Sequence, residues 1–302
     1  LNRYPDPQAN DLKQALRTEF LISDKHELIF GNGSDELIQM LALAIAKPDA
    51  CVLMVTPSFS MYKLISEFIG VHVVEVPLTK TFSLQVDKIC EAINDNKPSI
   101  TFLACPNNPT GTLWPIEDVE KIIQQTQGLV VIDEAYAPFS SFSMTPLVDK
   151  YSNALMLRTF SKMGLAGLRF GWMAGAEKWL NELNKLRLPY NINTLTQASI
   201  QFALENMSVF NDQAKQICEQ REQLFLAMQG IDELQVFPSE ANFLLFKMRQ
   251  SSADKVFASL LEQKVMIKNV ANNKLLKNCL RVTVGTESEN EIFINALKRS
   301  IR

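Results

Sequence analysis

The sequence predicts an α/β protein: a mostly parallel, seven-stranded-type sheet in a large three-layer α/β/α domain, followed by a smaller C-terminal α+β domain. Three observations carry this. The short apolar runs Cys51–Val55, Ile100–Ala104 and Leu129–Asp133 have the composition of strands buried on both faces, as in parallel sheets. Segments of helical period alternate with them. After Gly230 the pattern changes to short strands with helices among them. The division expected is residues 1–208 for the large unit and 209–302 for the small one, with a long helix at about 208–229 bridging them.

The bulk properties narrow the function. The chain has 302 residues, 47% hydrophobic and 21% charged, which is ordinary globular composition with ample length for a core. A net charge of −3 leaves no basic footprint for nucleic acid. The longest apolar run, Leu37 to Ala46, contains Gln39 and is too short to span a bilayer. Cys51, Cys90, Cys105, Cys218 and Cys279 are scattered with no CxxC pair, which points to a reducing, cytoplasmic setting and to no structural metal. His26 and His72, the only histidines, offer little for a triad or a multi-histidine site and are expected on exposed loops or edges. The chain opens at Leu1 without Met, in a Pro/Asp-rich stretch, which suggests that a short N-terminal segment precedes it.

Along the chain, a helix is expected from Asp11 to Phe20, capped by Asn10 or Asp11. Gly31-Asn-Gly-Ser-Asp-Glu36 leads into an apolar helix, Leu37 to Ala46. Here Gly31 and Gly33 permit close approach of a ligand, and Ser34 is the expected N-cap. Taken alone, this stretch reads first as a plain capped helix start. Val71–Val76 and Asn153–Leu157 read as further strands, and Leu168–Ala174 as one that returns antiparallel or at an edge. Helices are expected at 87–95 and at 116–127, after Pro115 and before Gly128. Others follow at 176–187, 194–206, 208–229, 252–263 and 287–300. The C-terminal strands are Leu234–Phe237, Phe243–Met248, Val265–Lys268 and Leu280–Val284. Trp114, Trp172, Trp179, Met40, Met54 and Met61 read as core. Tyr190 and Asn191 either line a pocket or form a simple turn.

The chemistry concentrates at Arg158-Thr-Phe-Ser-Lys-Met-Gly-Leu-Ala-Gly-Leu-Arg-Phe-Gly171. Lys162 stands beside Thr159 and Ser161, with Arg169 seven residues on. A lysine that bonds to a carbonyl needs a confined place to lose its proton, and hydroxyls with a guanidinium suit a phosphate monoester. Both needs meet in pyridoxal 5'-phosphate (PLP), although a surface lysine in a glycine-containing loop would look similar. PLP also needs an acid at its pyridine nitrogen, donors to its 3'-oxygen, a flat cover, a phosphate cup and a cation for the substrate. Asp133 closes an apolar strand, where an unpartnered charge would be costly. Tyr136 with Asn108 can serve the oxygen and Phe59 the cover. Ser34, Ser161, Thr159 and Arg169 can form the cup, and Arg281 can hold the substrate. Most follow apolar strands, the end of open α/β sheets where ligands bind.

The motifs Leu-Asn-Arg-Tyr-Pro-Asp at the start, Gly-Ser-Asp-Glu at 33–36, Pro-Asn-Asn-Pro-Thr-Gly at 106–111, Asp-Glu-Ala-Tyr at 133–136, Arg-Thr-Phe-Ser-Lys at 158–162, Leu-Ala-Gly-Leu-Arg at 165–169 and Leu-Arg-Val-Thr-Val-Gly-Thr at 280–286 carry a resemblance. Over nearly its whole length the chain resembles the histidinol-phosphate aminotransferases, within the fold-type-I, class I/II PLP-dependent aminotransferases. The resemblance implies that Lys162 bonds to the cofactor and shuttles the substrate proton, that Asp133 pairs with the pyridine nitrogen, and that Asn108 and Tyr136 hold the 3'-oxygen. It assigns Ser34, Asp35, Ser161 and Arg169 to the phosphate. It sends Tyr4 to the cofactor of a neighbouring subunit, hence a homodimer with shared sites. Arg281 would grip the substrate's carboxylate or phosphate. The implied reaction passes an amino group between histidinol phosphate and 2-oxoglutarate in histidine biosynthesis.

Three departures stand out. Phe59 replaces a tyrosine common in relatives, and Lys268 stands where a second arginine for the substrate phosphate is usual. The family's N-terminal arm is missing before Leu1. Aromatic transamination, decarboxylation of threonine phosphate and a non-catalytic PLP-binding regulatory module stay open as alternatives.

Overall fold

The mostly apolar runs form the middle of one sheet, because strands buried on both faces must be covered on both sides. In the computed structural model, which describes residues 1–271 and 273–301, the elements follow in chain order as α1 (Asn10–Phe20), β1 (His26–Asn32), α2 (Ser34–Ala44), β2 (Cys51–Thr56), α3 (Met61–Ile69), β3 (His72–Pro77), α4 (Val86–Asn96), β4 (Ile100–Ala104), α5 (Ile116–Gln125), β5 (Leu129–Asp133), α6 (Thr145–Lys150), β6 (Ala154–Thr159), β7 (Phe170–Ala176), α7 (Glu177–Asn184), α8 (Thr194–Glu205) and α9 (Met207–Gln229). A second unit adds β8 (Leu234–Val236), β9 (Phe243–Met248), α10 (Ala253–Glu262), β10 (Lys268–Asn269), β11 (Cys279–Thr283) and α11 (Glu287–Ser300).

The large sheet has seven strands in the order β1-β7-β6-β5-β4-β2-β3. The run from β3 to β6 is parallel; β7 is antiparallel to both β6 and β1. So the 168–174 segment returns antiparallel, as expected, but inside the sheet; β1 and β3 take the edges. Alternation along the strands makes three layers. In β5, Val130 and Ile132 join the core under α1, α4, α5 and α8, whereas Leu129 and Val131 join Leu37, Leu41, Leu180 and Leu183 of α2 and α7 on the other face. Full burial of each such side chain contributes about 1.5–3 kcal/mol.

The smaller sheet is antiparallel, β10-β11-β9-β8, over a separate core with α10 and α11. The helix α9 joins the two units: Ala214 packs with Tyr136 and Phe139 of the large unit, and Leu224 and Met228 with the small core. We propose the division at the start of this helix, between residues 208 and 209.

Several local expectations are corrected. Asn10 is not a cap but the first residue of α1, preceded by Ala9 at φ 46. The Asp6 carboxylate instead accepts the backbone N–H groups of Gln8 and Asn10, both at 3.0 Å. Ser34 is likewise the first residue of α2 and Gly33 the N-cap, because the chain there needs a φ of +79° that only glycine adopts cheaply. The strand expected at Val265–Lys268 is shifted to Lys268–Asn269, where it finds β11 to pair with. His26 lies on an edge strand but is buried, its Nε2 2.7 Å from the Asp149 carboxylate; His72 is exposed on the other edge. Met61 is half-buried, not core. Trp114 and Trp172 are fully buried, and Trp179 packs on the α2–α7 side.

Candidate active site

The C-terminal ends of β4, β5 and β6, with the start of α2, border one open cavity. Ser34, Asp35, Phe59, Asn108, Asp133, Tyr136, Thr159, Ser161, Lys162 and Arg169 all line it. Sequence reasoning named each of them, from positions spread across 135 residues.

Asp133 ends β5 because the apolar run stops there, yet it stays buried. Its Oδ2 accepts the Tyr62 hydroxyl at 2.5 Å and its Oδ1 the Ala135 N–H at 3.0 Å. Burial pushes the carboxyl up to about 6, against the pull of these donors and of Lys162. Lys162 sits in a 3-10 turn, Ser161–Met163, directly after β6, with its Nζ 5.5 Å from the centre of the Tyr136 ring. Burial lowers its proton affinity, helped by the Arg281 charge and opposed by Asp133. The cavity therefore brings together an amine whose proton affinity burial lowers and a carboxyl whose proton affinity burial raises.

Tyr136 packs edge-on against Phe243 at 5.1 Å, and burial pushes its hydroxyl up to about 12, so it remains a donor. Arg281 reaches over from β11. Its guanidinium lies 4.6 Å from the Phe243 ring centre, and its Nη1 donates to the Asn108 side-chain carbonyl. Its Nε is buried with no partner among the described residues, a donor left for a ligand. Asn107, by contrast, is fully buried. It donates to the Pro57 carbonyl and to Thr110, and accepts from Ser58, so it holds the loop and not a ligand.

At the other end, α2 presents its free N–H groups. Gly171 lets β7 lie against this end: a Cβ there would sit 2.5 Å from the Ser34 nitrogen. Arg169 lies at φ 47 with Nη2 3.4 Å from Asp35 Oδ2. Thr159 is engaged internally. Its hydroxyl is 3.0 Å from the Phe170 carbonyl and 2.9 Å from Ser161 Oγ, and it accepts the Ser161 N–H at 3.1 Å. It thus supports Ser161 more than it faces the cavity. Behind the lysine turn, Arg158 donates to Glu134 at 2.6 Å and 2.9 Å and lies against Phe20 and Trp172.

Of the predicted residues, Arg281, Tyr4 and Lys268 do not line this cavity, and Arg281 meets it through Asn108. Tyr4 is exposed, its ring stacked on Tyr190 at 4.5 Å. Lys268 is exposed on β10, directly opposite Arg281 in register. Tyr190 and Asn191 form a turn; Asn191 donates to the Phe30 carbonyl and to Glu36, both at 2.9 Å, and neither residue lines the cavity. Sequence reasoning missed Tyr62. Its only signal was its place three residues after Phe59.

The donor set fits PLP: a half-buried lysine, a buried acid, hydroxyl and amide donors between them, and a helix start flanked by Ser161 and Arg169 for a phosphate. Residues 1–297 match the family described as aminotransferase class I and II. The chain belongs to that family. Its cofactor is pyridoxal 5'-phosphate, and it transfers amino groups between an amino donor and a 2-oxo acid. Within the aminotransferases it is similar to histidinol-phosphate aminotransferase 2 of Nitrosococcus oceani, 46% identical over 299 residues, 99% of this chain and 83% of that protein. The fold is shared with the histidinol-phosphate aminotransferase of Clostridium acetobutylicum at a TM-score of 0.92 and 24% identity, covering 99% of this chain and 90% of the other. The Sinorhizobium meliloti enzyme, solved in complex with pyridoxal-5'-phosphate, has a TM-score of 0.90 at 24% identity, over 99% and 83%. No helix among the described residues is long and apolar enough to cross a membrane.

Proposed function

We propose that this aminotransferase moves the amino group of histidinol phosphate to 2-oxoglutarate, yielding imidazole acetol phosphate and glutamate, as a cytoplasmic homodimer. Pyridoxal phosphate supplies an aldehyde that takes up amino groups and a ring that draws electrons from the adjoining carbon. In this reading Lys162 would hold the cofactor at its aldehyde, and its amine would move the proton at the substrate's α-carbon. Burial lowers its proton affinity, the direction that a proton-moving base requires. Asp133 holds a proton at the ring nitrogen, Asn108 and Tyr136 donate to the ring oxygen, and Phe59 covers one ring face. Ser34, Ser161 and Arg169 hold the phosphate, supported by Asp35 and Thr159. Tyr4, exposed here, reaches the cofactor of a second copy.

One observation favours this substrate pair. Lys268 and Arg281 are directly opposed across the β10–β11 ladder, so both side chains leave the same face of the small sheet, the face from which Arg281 meets Asn108. Two adjacent cations suit a substrate whose far end is a dianion or carboxylate, and one pair can serve the phosphate of one substrate and the distal carboxylate of the other.

The test compares turnover of histidinol phosphate, phenylalanine and threonine phosphate with 2-oxoglutarate as acceptor. Histidinol phosphate should have the highest kcat/KM by at least about tenfold. Preference for phenylalanine, or release of carbon dioxide from threonine phosphate, would overturn the assignment. Lys162→Ala should lower transfer by about 10,000-fold and abolish covalent capture of the cofactor by borohydride.

A further inference from the structure

Tyr62 has no part in the roles above, yet it is the fully buried side chain that touches the acid of the site. It stands in the first turn of α3. Its ring lies flat on Phe102 at 4.7 Å and 4°, and edge-on to Phe59 at 5.4 Å and 84°. The hydroxyl has one direction left, toward Asp133 Oδ2. It does not line the cavity, so whatever it does there it does through Asp133.

We propose that Tyr62 is a positioning residue for the cofactor: its hydroxyl holds Asp133 as an anion, oriented so that the proton shared with the pyridine nitrogen rests on the ring. This rests on the reading that Asp133 meets that nitrogen.

The argument concerns one proton and two places for it. In a buried site a carboxylate and a pyridinium can collapse to a neutral acid and a neutral pyridine, since low dielectric disfavours both charges. A donor to the carboxylate opposes this, because it bonds more strongly to the anion than to the acid, and the O–H···O distance here is that of a charge-assisted bond. Tyr62 can only donate. Burial, and then the Asp133 charge, hold its own proton far above the usual phenol range. The Ala135 N–H fixes the other oxygen, so the two donors set the plane of the carboxylate. The remaining charged groups that act on Asp133 are Lys162, which favours the anion, and Asp35, which opposes it. Through its contact with Phe59 the same ring also ties the acid to the aromatic wall of the cavity.

The test uses holoenzyme loaded with pyridoxal phosphate carrying ¹⁵N at the ring nitrogen. In Tyr62→Phe the ring stacking is kept and only the hydroxyl is lost. The ¹⁵N resonance should move toward that of an unprotonated pyridine, with kcat about tenfold to a hundredfold lower and KM within about twofold, the range of one hydrogen bond to a charged group. Should that variant not fold, Tyr62→Met, whose flexible side chain refills the space, is read in the same way. A resonance that stays at the wild-type position overturns the proposal, whatever the rate. Asp133→Asn separates the two readings: it must itself displace the resonance, and if it does not, the assignment of Asp133 to the ring nitrogen fails instead.

Discussion

A Cβ at position 33 would lie 2.4 Å from Nη2 of Arg169, so the guanidinium rests where any side chain at Gly33 would be. Both residues have positive φ, +79° and 47°. Gly33→Ala must displace the guanidinium and strain the backbone by about 1 kcal/mol or more. On the proposed phosphate role of Arg169, affinity for pyridoxal phosphate should fall at least about tenfold, the loss of one charge-assisted contact. Fluorescence titration of the apoprotein measures it. Gly70→Ala is the control. Its φ is also positive, +83°, though in the left-handed α region that alanine adopts at lower cost, and nothing lies within 4 Å, so cofactor affinity should be unchanged.

The pH dependence of the apoprotein reports on Asp133. Its carboxyl titrates at about 6 in the folded chain against 3.8 unperturbed, mainly through burial. Between these values the folded state binds more protons than the unfolded one, so stability from this group is greatest below about pH 4 and is lost as pH rises toward 6. The loss approaches about 3 kcal/mol at pH 7. Asp133→Asn removes it. In urea the variant apoprotein should be the more stable of the two at pH 7, with the difference gone at pH 4. Glu27 and Asp149, whose carboxyls lie below their usual range, respond in the opposite sense but alike in both proteins. Parallel curves for the two proteins would refute the account.

What was legible in the chain depended on how local its cause was. Ile100–Ala104 and Leu129–Asp133 appear as strands at the expected boundaries, because short runs this rich in apolar and β-branched residues read as buried strands from local sequence alone. Ten residues of one cavity could be named in advance, since each carries a chemical group that its turn or strand end would not otherwise require. Other features were set by distant partners. Helix α3 was missed because the turn formers from Pro57 to Ser60 run straight into it. Tyr62 gave no sign of its partner, which lies 71 residues away in sequence. The cap of α2 went to Gly33 and not Ser34 because the chain enters the helix at a positive φ, and Arg169, 136 residues on, fills the place of a side chain there.

The Glu134–Arg158 pair offers a prediction about stability. Glu134 is 2% exposed, and besides Arg158 it accepts from Ser143 and from the Met144 N–H. Arg158→Met keeps the packing on Phe20 and Trp172 but leaves a buried carboxylate without its cation. That should cost about 3–5 kcal/mol. The double variant Arg158→Met with Glu134→Gln should recover most of it. Thermal unfolding of the four proteins gives the cycle, and additive losses would show that the two side chains do not act as a pair.

Lys268 bears on selectivity. It faces Arg281 across the small sheet, where a second guanidinium could grip a phosphate with two parallel hydrogen bonds and a lysine offers only a point charge. On the proposed reaction, Lys268→Arg should raise kcat/KM for the phosphate-bearing substrate by about tenfold, in KM more than in kcat, because the contact is equally present before and during the chemical step. Lys268→Ala should lower it by about tenfold to a hundredfold. Neither change should alter the borohydride capture of the cofactor at Lys162, since Lys268 does not line that cavity. Steady-state kinetics with histidinol phosphate and with phenylalanine decide the matter. An equal response for both amino donors would mean that Lys268 tunes the field of the site and does not recognise the phosphate.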